Sequence, residues 1–138
     1  MIKSTSIWIG LAFVVVALLF WLSRSKVAAS STENELASDA QVLDQLKRYG
    51  SDLSKPHQLE FFLYFPTEAD AQKAAEQIRA KSFEVKVERA AQGESWLCFA
   101  TKTMLPELKA IQNITIQFNE IAKRFGDNYD GWGSPIVE

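Results

Sequence analysis

The most informative stretch of the chain is residues 57–65, which read His57-Gln58-Leu59-Glu60-Phe61-Phe62-Leu63-Tyr64-Phe65. Aromatic residues favour strands, and Pro66 directly after the run lacks a backbone donor and ends it. Side chains alternate between the two faces of a strand, so the large apolar residues at every odd position from 59 to 65 share one face. Glu60, Phe62 and Tyr64 share the other face, which we expect to be at least partly covered. The pattern predicts a central strand of a sheet.

A helix and a hairpin are predicted to follow this strand. Thr67, with Asp70 three residues later, can cap a helix that runs to about Lys81. Residues 83–88 alternate apolar and charged side chains, which is typical of a strand with one exposed face. Residues 95–102 form another apolar run after a glycine-containing turn, so the two runs are expected to pair as a hairpin.

Two more helices are predicted, one on each side of this region. Proline fits the start of a helix, and apolar spacing typical of a helix continues over residues 106–125. The segment after it is expected to form a last short strand or a docked tail. Near the other end of the chain, residues 32–35 have the spacing of a capping box, and the pattern predicts a helix over residues 33–49.

This order of elements predicts an α+β fold of the ferredoxin-like, split βαβ kind. Such a fold is an α/β sandwich, in which helices cover one face of an antiparallel sheet. The additional helix precedes this unit, and the predicted domain spans residues 33–138. Many unrelated functions occur on this fold, so the fold class alone does not indicate an activity.

The N-terminal region has a different composition. Residues 4–23 contain no charged side chain and carry Trp8 and Trp21 towards their ends, a pattern typical of a transmembrane helix. Residues 24–32 are rich in Ser, Ala and basic residues and are predicted to be a flexible tether. A cleaved signal peptide, with Val27-Ala28-Ala29 at the cleavage site, is the alternative. Basic residues on both sides give a slight preference for a single-pass inner-membrane protein whose domain is cytoplasmic.

The charge distribution disfavours direct binding of nucleic acids. All 17 acidic residues but only 12 of the 15 basic ones lie after residue 30, which gives this part a net charge of −5. Nucleic acids are bound mainly through Lys and Arg, so an acidic domain is a poor match for a phosphate backbone. The single cysteine, Cys98, excludes an intrachain disulfide and lies in an apolar run that favours a buried thiol.

No catalytic, cofactor or metal site is predicted, and no small-molecule substrate is expected. His57 is the only histidine and has no Cys or His partner at a metal-binding spacing. Asp52 and Glu60 flank it in sequence, and the three are expected to form a polar edge that is a weaker candidate for interaction.

The chain carries one more unusual run near its C-terminus, Tyr129-Asp130-Gly131-Trp132-Gly133. Two large aromatic residues among glycines gain little from local secondary structure, so the run must dock on its own domain or on a partner. Both uses, a structural plug and an interaction motif, remain open from sequence alone.

This last motif follows an amphipathic helix, and in that position it resembles the end of the regulator of ribonuclease E activity B (RraB) family. The resemblance covers residues 33 to 136. Supporting matches are the run from Leu43-Asp44-Gln45-Leu46 to Gly50-Ser51-Asp52, the strand with His57 and Glu60, and the elements containing Ala69-Asp70-Ala71-Gln72-Lys73-Ala74-Ala75 and Phe83-Glu84-Val85.

The resemblance implies a non-enzymatic protein that binds the endoribonuclease of the RNA degradosome, ribonuclease E, and inhibits its cleavage of transcripts. It implies no cofactor. The predicted membrane anchor departs from the family pattern, although a membrane-associated nuclease would be a compatible partner. The alternative is a membrane-tethered binding or scaffold module with no connection to RNA.

Overall fold

The computed structural model of the chain describes residues 31–126 and 128–138. Three helices and four strands make up this part. In chain order they are α1 (Ser31–Arg48), β1 (His57–Phe65), α2 (Glu68–Arg79), β2 (Glu84–Arg89), β3 (Trp96–Met104), α3 (Leu108–Arg124) and β4 (Asn128–Gly133).

The four strands form one antiparallel sheet in the order β2-β3-β1-β4. Strands β2 and β3 are a hairpin, whereas each helical crossover, through α2 and through α3, passes over one intervening strand. This is the split βαβ arrangement expected from the order of elements. The strand predicted to be central is confirmed, because β1 pairs with both β3 and β4.

The helices pack on one face of the sheet. Alternate residues of β1, from His57 to Phe65, are buried on that face, and residues between them are partly or fully exposed on the other. Helix α2 packs on β2 and β3, α3 packs on β4 and β1, and the two helices contact each other. Helix α1 lies outside this pair and contacts α3 and β4. The structure therefore confirms an α+β fold with a one-sided core.

The core is centred on the Phe61 ring. It lies edge-on to Phe83 and Phe118, with centroid distances of 5.5 and 5.3 Å, and 6.5 Å from the centroid of Trp132. These partners come from the residue before β2, from α3 and from β4. Edge-to-face aromatic pairs add to the stabilisation from burial. One ring therefore connects three separate parts of the chain.

Several predicted boundaries differ from the observed ones by a few residues. Helix α1 includes Ser31 and Thr32, which lie within the predicted tether. The last segment is a strand, which is one of the two forms expected for it. The predicted transmembrane helix at residues 4–23 and residues 24–30 of the tether lie outside the described residues. Within residues 31–126 and 128–138, the structure contains no helix with the length and apolar character to cross a membrane.

Adjacent phenylalanines on opposite faces of β1 test this assignment of the core. The Phe61→Ala substitution should lower the free energy of unfolding by about 3–5 kcal/mol, because it leaves a cavity among three aromatic rings. Phe62→Ala, on the partly exposed face, should cost less than half as much. Urea unfolding followed by circular dichroism measures both values, and equal losses would contradict the one-sided core.

Candidate functional site

The motif at residues 129–133 forms most of β4 and pairs with the central strand. The register changes along this pair: Trp132 is opposite Phe61, but Tyr129 is opposite Leu63. One extra residue of β4 is therefore accommodated by a bulge, and Gly131 there has a φ of +97°. Glycine adopts this backbone conformation readily, whereas other residues are strained in it.

The bulge explains how two aromatic residues three positions apart point in the same direction. In a regular strand, residues 129 and 132 would lie on opposite faces. Here both are buried against the helices, with Tyr129 1% and Trp132 2% exposed. The Tyr129 ring lies edge-on to Phe118 in α3, at a centroid distance of 5.8 Å. Of the side chains in the motif, only that of Asp130 is partly exposed.

A buried carboxylate holds the motif to helix α1. The Trp132 Nε1–H donates a hydrogen bond to Asp39 Oδ1 over 3.0 Å, and the Thr115 hydroxyl donates to Asp39 Oδ2 over 2.7 Å. Asp39 is in α1 and Thr115 in α3, and both side chains are buried. One carboxylate therefore joins two helices to the closing strand.

Burial is the largest influence on the pKa of this carboxylate. The pKa of Asp39 is raised from 3.8 to about 7, mainly by loss of solvation and to a smaller extent by the charge of nearby Glu35. The hydrogen bonds from Thr115 and Trp132 act in the opposite direction, because they stabilise the charged form. Burial also raises the pKa of Tyr129 well above its usual value, with a smaller contribution from Asp39.

The predicted polar edge of Asp52, His57 and Glu60 is not one surface. His57 is the first residue of β1 and its side chain is buried, whereas Glu60 is three positions along and lies on the opposite face. Burial raises the pKa of Glu60, which is half-buried. Asp52 lies in the turn before β1, where hydrogen bonds from Ser54 lower its pKa. The three side chains do not form one edge, because strand alternation separates His57 from Glu60.

His57 instead secures the C-terminal segment. Its Nδ1 donates to the Lys55 carbonyl oxygen over 2.7 Å, and its Nε2 is 2.6 Å from the Ser51 hydroxyl oxygen. In the neutral ring, Nε2 accepts from that hydroxyl. The Ser51 oxygen in turn accepts from the Val137 backbone N–H over 3.0 Å. The Asp52 N–H also donates to the Val137 carbonyl over 2.6 Å. Both side chains are buried, and their hydrogen bonds join the start of β1 to the C-terminal segment.

The other reactive groups in the described part of the chain are also in structural positions. Cys98 is buried, and its thiol donates to the Ala71 carbonyl over 3.0 Å. Burial raises the pKa of this thiol to about 12, which suppresses the reactive thiolate. Residues 31–126 and 128–138 bring together no group of three His, Cys, Asp or Glu side chains able to hold a metal ion.

Comparison with protein families gives a match over most of these elements. The family described as regulator of ribonuclease activity B matches residues 36–134. The chain belongs to the RraB family. Its members regulate ribonuclease activity. A search of curated proteins finds no match.

The RraB match includes all three residues of the hydrogen-bonded network that joins α1 to β4, namely Asp39, Thr115 and Trp132. It begins within α1, three residues before Asp39, and ends one residue after β4. The closing motif indicates Trp132, but no motif indicates Asp39 or Thr115. Asp39 is 93 residues from Trp132 and 76 residues from Thr115 along the chain. The only available signal was Asp39 itself, an acidic residue between apolar positions of a helix that also buries Val42 and Leu43.

The Asp39→Asn substitution tests whether this carboxylate is protonated in the native RraB domain. Native Asp39 retains its proton up to about pH 7, whereas the unfolded chain loses it near pH 4. The unfolded state therefore binds fewer protons in this range, so the contribution of Asp39 to stability falls as pH rises from about 4 to 7. One pKa unit corresponds to ~1.4 kcal/mol, so the total is on the order of a few kcal/mol.

Urea unfolding at several pH values, with the parent and Asp39→Asn chains side by side, measures this contribution. The difference between their unfolding free energies should change steadily in favour of the variant from pH 4 to pH 7. Asp52, whose pKa is lowered, is present in both chains and cancels. Parallel pH profiles of the two chains would show that burial does not raise the pKa of Asp39.

Proposed function

We propose that this chain binds an endoribonuclease, ribonuclease E in the first instance, and lowers its rate of RNA cleavage. The RraB match over residues 36–134 carries the proposal, because members of this family regulate ribonuclease activity. The regulation would act through protein contact and without catalysis by the chain itself.

The placement of polar groups supports a contact mechanism. Among the described residues, Ser51, His57 and Cys98 are committed to bonds within the domain, as is the buried Asp39. The part after residue 30 has an excess of acidic residues, which opposes inhibition by capture of RNA. These observations favour inhibition by contact with the nuclease over inhibition by binding its RNA substrate.

We also propose that residues 4–23 anchor the chain in the inner membrane, with the domain on the cytoplasmic side. The uncharged apolar run, long enough for a bilayer, supports the anchor. A single-pass anchor would raise the local concentration of the domain near a membrane-associated partner. The cytoplasmic side is the one on which transcripts are degraded.

Inhibition is tested with the purified full-length chain in neutral lipid nanodiscs. Increasing amounts are added to purified ribonuclease E, and cleavage of a fluorescently labelled RNA is followed. The rate should fall in a saturable manner, and the nuclease should bind the nanodiscs directly. An unrelated ribonuclease acting on the same RNA serves as the control, because a protein that sequesters RNA would slow both enzymes. An unchanged ribonuclease E rate and no direct binding would refute the proposal.

Reporter fusions at the C-terminus test the topology independently. A reporter that is active only in the cytoplasm should be active, and alkaline phosphatase, which is active only outside it, should be inactive. The opposite result would favour a scaffold module on the far side of the membrane.

A further inference from the structure

The face of the sheet away from the helices carries a partly exposed apolar centre. Strand register places Phe62 opposite Phe99 and Tyr64 opposite Leu97, and all four side chains are partly exposed. The rings of Phe62 and Phe99 are 5.3 Å apart. All three described helices pack on the other face, so none of them covers this group. We call these four residues and the charged side chains around them the open face.

Most of the charges on the open face are negative. Glu84 and Glu88 on β2 lie opposite Thr101 and Leu97 of β3, which places them on this side, and both are exposed. Glu60 on β1 has the same orientation. Asp130 is close enough to Tyr64 for its charge to raise the pKa of that hydroxyl, after the larger effect of burial. Lys86 is the one cation that this register places among them.

Glu60 is the most telling of these carboxylates. It lies opposite Thr101 on one neighbouring strand and Gly133 on the other, in a half-buried position. No salt bridge or hydrogen bond of its side chain is formed within the described residues. A half-buried carboxylate without such a partner is costly, and a cation brought by a binding partner would offset that cost.

Aromatic rings surrounded by carboxylates fit an arginine-containing segment better than other ligands. A guanidinium group stacks on aromatic faces and pairs with carboxylates through two parallel hydrogen bonds. Apolar residues of the same segment would cover Leu97 and the ring edges. Exposed aromatic rings on a four-stranded sheet can also stack RNA bases, but that use requires basic side chains around them. Here four acidic residues and one basic residue surround the rings, which repels a phosphate backbone.

We propose that the open face is the docking surface for a segment of a protein partner that carries arginines interspersed with apolar residues. The inference rests on the proposed function, since it assigns the surface and the partner chemistry through which a ribonuclease would be bound. Asp130 is the one side chain of the closing motif that faces this surface. Tyr129 and Trp132 support the surface from beneath, within the core.

Two double variants with the same change in charge test the surface. Glu84→Lys/Glu88→Lys reverses two carboxylates of the open face, and Glu76→Lys/Glu120→Lys reverses two exposed carboxylates on α2 and α3. A third variant, Phe99→Leu, keeps apolar volume but removes a ring face. Circular dichroism melting of each full-length chain verifies that it is folded before binding is measured.

The probes are purified ribonuclease E and a fluorescent peptide of four Arg-Leu-Ser repeats. Matched peptides carry Lys or Glu in place of Arg, and a twelve-residue oligouridine tests RNA. Binding to the chain in neutral nanodiscs is measured by fluorescence anisotropy, and empty nanodiscs give the background. The Arg peptide should bind more tightly than the Lys peptide, and the Glu peptide should not bind. The affinity of the Arg peptide should fall as salt is raised, because exposed charge pairs are screened.

Glu84→Lys/Glu88→Lys should lower the affinity for the Arg peptide and for the nuclease by at least ~10-fold. Two exposed charge pairs are lost, and the new lysines repel the arginines. Glu76→Lys/Glu120→Lys should change either affinity by less than about twofold. Phe99→Leu should reduce the preference for Arg over Lys. Equal losses in the two double variants would overturn the proposal, as would binding of oligouridine at this face or self-association that Phe99→Leu abolishes.

The outcomes also separate this proposal from the proposed function. If the parent chain inhibits the nuclease and the open-face variants inhibit it equally well, the docking surface is wrong and the function stands. If the Arg peptide binds at the open face but the nuclease is neither bound nor inhibited, the function fails and the chemistry of the surface stands.

Discussion

The hydrogen bond from the Trp132 indole to the buried Asp39 carboxylate is the contact on which the rest of this structure depends. It connects α1 to β4, which are the first and last elements of the described fold. Thr115 donates to the same carboxylate and brings α3 into the contact. A buried carboxylate is stable only when its oxygens are hydrogen-bonded or when it is protonated, and Asp39 combines both solutions. Without these donors, α1 would have to bury an unpaired acid, which would weaken its packing on α3 and β4.

The bulge at Gly131 makes this contact geometrically possible and sets which side chains of the closing motif lie on each face of the sheet. It turns Tyr129 and Trp132 towards the helices together and leaves Asp130 on the other side. The helix-covered face then holds the aromatic core, whereas the open face keeps aromatic rings within a border of carboxylates. If a partner docks on the open face as proposed, the motif would contribute to recognition mainly by shaping the sheet. Its two aromatic side chains act inside the domain.

The central strand, the hairpin and the helices were predictable because each leaves a local period in the sequence. The RraB family was recognisable from the closing motif because this signal is also local, carried by five consecutive residues. The contacts made by Asp39 and Ser51 were not predictable, because they join residues that are distant in the chain and no period records them. His57 and Glu60 were grouped by proximity in sequence, and strand alternation placed them on opposite faces. Residues three apart in a strand, such as Tyr129 and Trp132, share a face only if a bulge lies between them, and no pattern in the sequence predicted this bulge.

The most direct test of this account is the NMR signal of the Trp132 indole N–H in the full-length chain, assigned by its loss in Trp132→Phe. Its proton should exchange slowly with solvent, and its chemical shift should titrate with a midpoint of about 7, the pKa of Asp39. In Asp39→Asn this titration should disappear while the chain remains folded. An indole proton that exchanges as fast as an exposed one, or a shift that stays constant between pH 5 and pH 9, would contradict the central role of this hydrogen bond.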